Sequence, residues 1–266
     1  MRLVITVTAA LLASAAFAGA SDQLPDRQAD VVAELFNSEG VDGTFVVASE
    51  DGEILHLYND ERAVVRFSPA STFKIPNTLI ALDLGVLEST DDTFRWVGMD
   101  RGLSAWNMDQ TLLSAFKVSC VWCYQEVARK IGAVQYETAL HRMDYGNQQV
   151  GDQVDQFWLN GVLRISAIEQ IRFLGALLAG SLSYEREHID IVKEIMRQEP
   201  GGNKYVLHAK SGWTGSEQHV GWYVGYVEKR DKTWLFAMNM RMDAAEQAPL
   251  RKELTVQSLR ALGILK

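Results

Sequence analysis

The spacing of apolar positions changes twice along the chain, and each change marks a change of predicted structure. Gln28 to Phe36 repeats at helical spacing. Thr44–Ala48 and Glu53–Tyr58 read as strands, with Glu50-Asp51-Gly52 as the hairpin turn between them. From Thr72 to about Arg197 the helical spacing returns, broken by loops containing Gly, Asn and Asp. It predicts helices at Thr72–Leu84, Thr111–Ile131, Val134–Met143, Ile165–Ala179 and Tyr184–Met196. Glu199-Pro200-Gly201-Gly202-Asn203 is a breaker. Strand-like runs follow at Tyr205–Ala209, His219–Val227 and Thr233–Met240, with Glu228–Lys232 as a charged turn. Leu250–Leu262 closes the chain as an amphipathic helix.

Strands at both ends and helices between them imply an α+β fold. One antiparallel sheet forms from the N- and C-terminal segments and is flanked by the terminal helices. An all-helical subdomain, inserted over about residues 72–200, packs beside it. No repeat or low-complexity linker divides residues 19–266, so a single domain is expected, with its site where the sheet meets the helices.

The first residues follow a different rule. Arg2 precedes a mostly apolar run from Leu3 to Phe17, and Ala16-Phe17-Ala18 is a small-residue cleavage signal; Ala18-Gly19-Ala20 offers a second, after residue 20. Residues 1–18 therefore read as a secretory signal peptide, too short in its apolar part to span ~30 Å of hydrocarbon. The mature protein is expected in the periplasm, free of the membrane.

Composition narrows the function. The chain has 266 residues, 47% hydrophobic, with a net charge of −8. It has no basic cluster interleaved with aromatics, so nucleic acid is not an expected partner. His56, His141, His188, His208 and His219 are scattered without metal-ligand spacing, so no metal is expected. The only cysteines, Cys120 and Cys123, fall in a stretch that reads as helical and apolar. Two buried helix cysteines are the simpler reading; an i,i+3 disulfide stays open.

Ser71-Thr72-Phe73-Lys74 carries the candidate chemistry. Ser and Lys three apart share one helix face, which brings an amine to a hydroxyl and can make a nucleophile without histidine. Ser114-Ala115-Phe116-Lys117 has the same form but sits inside a periodic run and reads as mid-helix. Ser71 instead follows Ser68-Pro69-Ala70, where a helix is expected to begin. Lys210-Ser211-Gly212 beside a strand offers a cation, a hydroxyl and a close backbone approach. Ser119-Cys120-Val121, Tyr145-Gly146-Asn147 and Phe157-Trp158-Leu159 mean little singly.

In this order the pieces resemble the class D β-lactamases, the oxacillinases, over nearly the whole mature chain. Pro249-Leu250-Arg251-Lys252 near the C-terminus also fits. The resemblance implies a β-lactamase/transpeptidase-like fold and hydrolysis of penicillin-type antibiotics through an acyl-Ser71 intermediate, conferring resistance. It implies Lys74 carboxylated by carbon dioxide or bicarbonate as general base, with no other cofactor. Phe73, Val121, Trp158 and Leu159 would wall that lysine, and Trp158 would hold the carbamate. Ser119, helped by Lys210, would relay a proton to the leaving nitrogen. The backbone N–H groups of Ser71 and Trp213 would form the oxyanion hole beside Gly212. Ser211 and Arg251 would bind the substrate carboxylate, and Tyr145 and Asn147 would shape a pocket wall. The sequence departs from the family in Ser211, where threonine is more usual, and in its cysteine pair. Loops near Trp106 and Trp213–Gln218 would set the substrate range. Monomer and homodimer both stay open. A penicillin-binding transpeptidase would share the acyl-serine step but not need the carbamate pocket; a sensor domain that stays acylated is normally tethered to membrane helices.

Overall fold

The computed structural model describes residues 26–198, 204–215 and 218–265. The expected signal peptide, the 199–203 breaker and part of the Trp213–Gln218 loop lie outside the described residues. No helix among the described residues is long and apolar enough to cross a membrane.

The N-terminal segment forms α1 (Asp26–Ser38), β1 (Gly43–Ser49) and β2 (Ile54–Tyr58). The hairpin turns where expected: Asp51 accepts from the Ser49 hydroxyl and the Glu53 amide, an Asx-type turn. A short helix, α2 (Asp60–Ala63), follows. The helical part then contributes α3 (Lys74–Asp83), β3 (Thr93–Phe94), β4 (Gln110–Thr111), α4 (Leu112–Lys117), α5 (Val121–Ile131), α6 (Ala133–Arg142), α7 (Ala167–Leu178) and α8 (Arg186–Met196). The chain returns through β5 (Val206–Trp213), β6 (Val220–Lys229) and β7 (Lys232–Arg241) to α9 (Ala248–Ala261).

The five long strands form one antiparallel sheet in the order β2-β1-β7-β6-β5, so the N-terminal hairpin pairs with the C-terminal meander. Period-2 alternation assigns its two faces. Phe45, Val47, Phe236 and Met238 pack with Val32, Phe36, Leu254 and Leu259 of the terminal helices. Val46, Ala48, Leu235 and Ala237 pack with Leu174, Leu177 and the helical part. β2 and β5 are the two edge strands, and β5 borders the site.

Three sequence expectations change. The predicted helix over Thr111–Ile131 is two helices. Thr111 and Ser114 cap α4 reciprocally, so Ser114 lies in a first turn rather than mid-helix. The chain then breaks at Val118–Cys120, where Ser119 takes φ +56°. The apolar period runs through the break because both helices bury the same side, so spacing alone does not reveal it. Second, Cys120 and Cys123 form a disulfide at the start of α5. Third, the helical part also carries the short β3–β4 ribbon, from which residues 95–109 project.

Candidate active site

Ser71 lies in a turn of 3-10 helix, Ala70–Phe73, that leads directly into α3. The turn is fixed from several sides. The Trp158 carbonyl accepts from the Ala70 amide at 3.0 Å and the Ser68 hydroxyl at 2.7 Å. The Trp222 indole donates to the Ser68 carbonyl at 2.9 Å. Gln170 donates to the Thr72 hydroxyl at 3.0 Å, and that hydroxyl donates to the Pro69 carbonyl at 2.7 Å. Ala70 is held at φ +48°, sparsely populated for a residue with a Cβ. Ser71 is 8% exposed, reachable but confined.

Lys74 sits one turn later with its side chain walled in, 1% exposed. Its Nζ lies 4.4 Å from the centre of the Tyr124 ring and has no hydrogen-bond acceptor among the described residues. Burial, and secondarily the charge of Lys210, pushes its pKa well below the ordinary lysine value. Both effects favour the neutral amine over the ammonium form. The Trp158 indole N–H is also buried without a partner, and its ring stacks on Phe73 at 5.6 Å and meets Phe157 edge-on at 5.1 Å. Two orphaned buried donors are costly, since each forfeits its hydration with nothing gained.

Lys210, on β5, faces the turn between α4 and α5. Its Nζ donates to the Ser119 hydroxyl at 2.5 Å and to the Ser211 carbonyl at 3.0 Å. Burial, and then Arg251, lowers its pKa to about 7. With Lys210 donating, the Ser119 proton is free to point at another acceptor.

The edge strand runs close against the nucleophile turn. A Cβ at Gly212 would stand 2.9 Å from the Pro69 carbonyl oxygen and 3.3 Å from the Ser71 amide nitrogen. Only glycine lets the two backbones meet at that distance. The Arg251 guanidinium, on α9, donates to the Gly212 carbonyl at 2.5 Å and to the Ala248 carbonyl at 3.0 Å. Ser211 and Trp213 flank Gly212, and the Trp213 indole donates to the Met242 carbonyl at 3.3 Å. Val121 opens α5 beside the disulfide, and Leu159 follows Trp158 with its carbonyl accepting from Gln218 at 3.1 Å.

Two expected substrate-binding residues do not face the site. Tyr145 is fully buried, edge-on to Phe73 at 5.9 Å and to Phe173 at 5.0 Å, so it presents no surface to a ligand. Asn147 spends its amide on the neighbouring loop, donating to the Val162 carbonyl at 2.8 Å and accepting from the Arg164 amide at 2.9 Å. Gly146, at φ +58°, lies so close to the Arg164 carbonyl that a Cβ there would be 2.2 Å from its oxygen. This segment braces the loop bearing Trp158 from behind.

Several supporting residues were not singled out in the sequence. Gln170 is a polar residue inside an apolar helix, which is a readable signal. Tyr124, Trp222 and Phe116, whose ring centre lies 5.5 Å from Lys210 Nζ, carried none, because a buried aromatic looks alike in core and site.

The family described as penicillin binding protein transpeptidase domain matches residues 43–259. The chain is 43% identical over 231 residues to β-lactamase OXA-48 of Klebsiella pneumoniae, covering 86% of this chain and 87% of that protein. It is 38% identical over 234 residues to β-lactamase OXA-10 of Pseudomonas aeruginosa, covering 86% and 88%. Among solved structures, the class D β-lactamase YbXI from Nostoc superposes with a TM-score of 0.85 at 38% identity, covering 88% of this chain and 99% of that one.

Proposed function

The chain belongs to the class D β-lactamases, serine hydrolases of the β-lactam ring, and from that premise we propose that it opens penicillin-type antibiotics through an acyl-Ser71 intermediate and so confers resistance. The observation that carries this mechanism is the buried Lys74 amine, unpartnered among the described residues and one turn from Ser71, with Ser119 and Lys210 joined by a hydrogen bond on a separate wall.

The Ser71 oxygen attacks the lactam carbonyl carbon while its proton passes to the Lys74 side chain. The backbone N–H groups of Ser71 and Trp213 receive the developing oxyanion, a contribution of ~3–4 kcal/mol per donor in comparable sites. When the C–N bond breaks, the nitrogen takes the Ser119 proton, and Lys210 supplies a proton to Ser119 in turn. Water then attacks the ester carbonyl carbon; the Lys74 side chain, having passed its acylation proton back to Lys210 through solvent, takes the water proton and gives it to Ser71 as the ester C–O bond breaks, so both lysines regain their starting protonation. Ser211 and Arg251 hold the substrate carboxylate during both steps.

The residues around Lys74 fit a carboxyl group added from carbon dioxide. A neutral amine is the form that reacts with carbon dioxide, and Lys74 Nζ and the Trp158 indole N–H are two buried positions lacking an acceptor among the described residues. A carboxylate there would accept from the indole, which can only donate. When bound, the group supplies a stronger general base than water for both steps.

The leader at residues 1–18 supports export, so we place the mature enzyme in the periplasm, acting on small-molecule β-lactams. The test is hydrolysis of a chromogenic cephalosporin by the purified mature protein, with and without bicarbonate. Multiple turnover sustained by bicarbonate supports the mechanism; one stoichiometric burst without turnover, even in bicarbonate, points to a penicillin-binding protein or a sensor.

A further inference from the structure

The turn that carries Ser119 is held in a conformation that a serine seldom adopts alone, φ +56°. Its neighbours are tied on both sides. Cys120 is fully buried, caps α5 by accepting from the Cys123 amide at 3.2 Å, and is bonded to Cys123. On the other side, the Trp106 indole donates to the Val118 carbonyl at 2.9 Å, and the Trp122 indole donates to the Trp106 carbonyl at 3.0 Å.

The bond contributes little to global stability by its chain entropy. A disulfide stabilises mainly by closing a long loop in the unfolded chain, and this one closes a loop of two intervening residues. Nor does a domain with two cores of this size need a staple. What the bond does fix is local: the first turn of α5, and through Cys120 the direction in which the chain leaves Ser119. With the chain in that direction, the Ser119 hydroxyl meets Lys210 Nζ at 2.5 Å.

We propose that the Cys120–Cys123 disulfide is a positioning element of the acylation step, holding the Ser119 hydroxyl on Lys210. The proposal rests on the proton-relay role assigned to Ser119 above. Without the bond, α5 unwinds or extends at its first turn, and Ser119 relaxes toward the common right-handed region. Proton delivery to the leaving nitrogen then slows, while water attack on the ester, which does not use that proton, is unchanged.

The test compares the Cys120→Ser/Cys123→Ala double variant, which keeps a cap acceptor at residue 120, with Cys123→Ala alone and with Ser119→Ala. Rapid mixing with a chromogenic cephalosporin separates acylation from deacylation, and thermal melting reports folding. Acylation is expected to fall on the order of tenfold to a hundredfold in both cysteine variants. Deacylation is expected to hold within about twofold, with melting displaced by only a few degrees. Added to Ser119→Ala, the cysteine changes should slow acylation no further, since the group they position is gone. If the cysteine variants acylate at the wild-type rate while Ser119→Ala does not, the positioning role is wrong and the relay stands. If Ser119→Ala acylates normally, the relay itself fails. If both cysteine variants fail to fold, or lose acylation and deacylation together, the bond is structural and the proposal is overturned.

Discussion

Gly212 and Ser71 lie so close that a Cβ on the glycine would stand 3.3 Å from the serine amide nitrogen. The same atom would stand 2.9 Å from the Pro69 carbonyl oxygen, and neither contact is with a flexible side-chain end. The edge strand and the nucleophile turn are thus built against one another, and that separation sets the geometry of the proposed oxyanion hole.

Gly212→Ala should therefore separate the two backbones by a few tenths of an ångström or more. Activity against a penicillin is expected to fall by about a hundredfold, the scale of a small misplacement of reacting groups. The melting temperature should change by only a few degrees, because β5 is an edge strand. A fully active variant would show that the close approach does not matter.

Trp158→Phe keeps the ring that stacks on Phe73 and removes the unpartnered indole N–H. Stability should fall by about 1–3 kcal/mol, because phenylalanine leaves the space of the second indole ring unfilled. Deacylation should slow by about tenfold or more, and by more than acylation, with partial recovery in added bicarbonate. Single-turnover kinetics with and without bicarbonate decide this; a variant whose deacylation is slow and unaffected by bicarbonate removes the holding role assigned to Trp158.

Burial leaves a signature in the pH dependence of stability. Lys210 is lowered from 10.5 to about 7 in the folded protein. Between these values the unfolded chain binds the proton and the folded protein does not, so stability rises with pH across that window. The cost is fully present below about pH 7 and fades as pH rises toward the unfolded pKa. Lys74 shifts in the same direction chiefly through burial, which Lys210→Met leaves in place; only its smaller contribution from the Lys210 charge is lost. In urea unfolding, wild type should gain on Lys210→Met by up to ~1.4 kcal/mol per pH unit from about pH 7.5 to about pH 9. A constant difference would mean Lys210 stays charged in the fold.

The chemistry of the site was more legible than its geometry. Ser71, Lys74, Lys210 and Gly212 were readable because short-range spacing carries their pairing: a helical turn for one pair, a strand segment for the other. The meeting of Ser119 with Lys210 spans 91 residues, and only the resemblance to a family joined them. The break at Ser119 was not legible, since apolar spacing continues through it, and the disulfide was one of two open readings, because cysteines three apart on a helix share a face whether or not they are bonded. The pocket-wall role of Tyr145 came only from the resemblance, since the residues themselves read as turn chemistry, and its fully buried ring offers no surface there. The sheet order was recoverable in outline, as strands at both ends of a chain must pair across the insertion to bury their alternating faces.

Ser166 tests the frame rather than the chemistry. It caps α7 by accepting from the Glu169 amide at 3.2 Å, while Glu169 accepts from the Ser166 amide at 2.9 Å and pairs with Arg66. Ser166→Ala should cost about 1 kcal/mol in urea unfolding, with catalytic constants unchanged. Loss of activity without loss of stability would show that α7 positions the site more directly than its packing indicates.

The central claim is that Ser71 carries the acyl group, and acid-quenched mass spectrometry tests it most directly. The mature protein is mixed with a slowly hydrolysed penicillin, quenched at intervals and digested. The account predicts one substrate mass added to the peptide containing Ser71, decaying as product forms, and no adduct in Ser71→Ala. Continued turnover with no adduct on Ser71, or an adduct mapped to another residue, would contradict it.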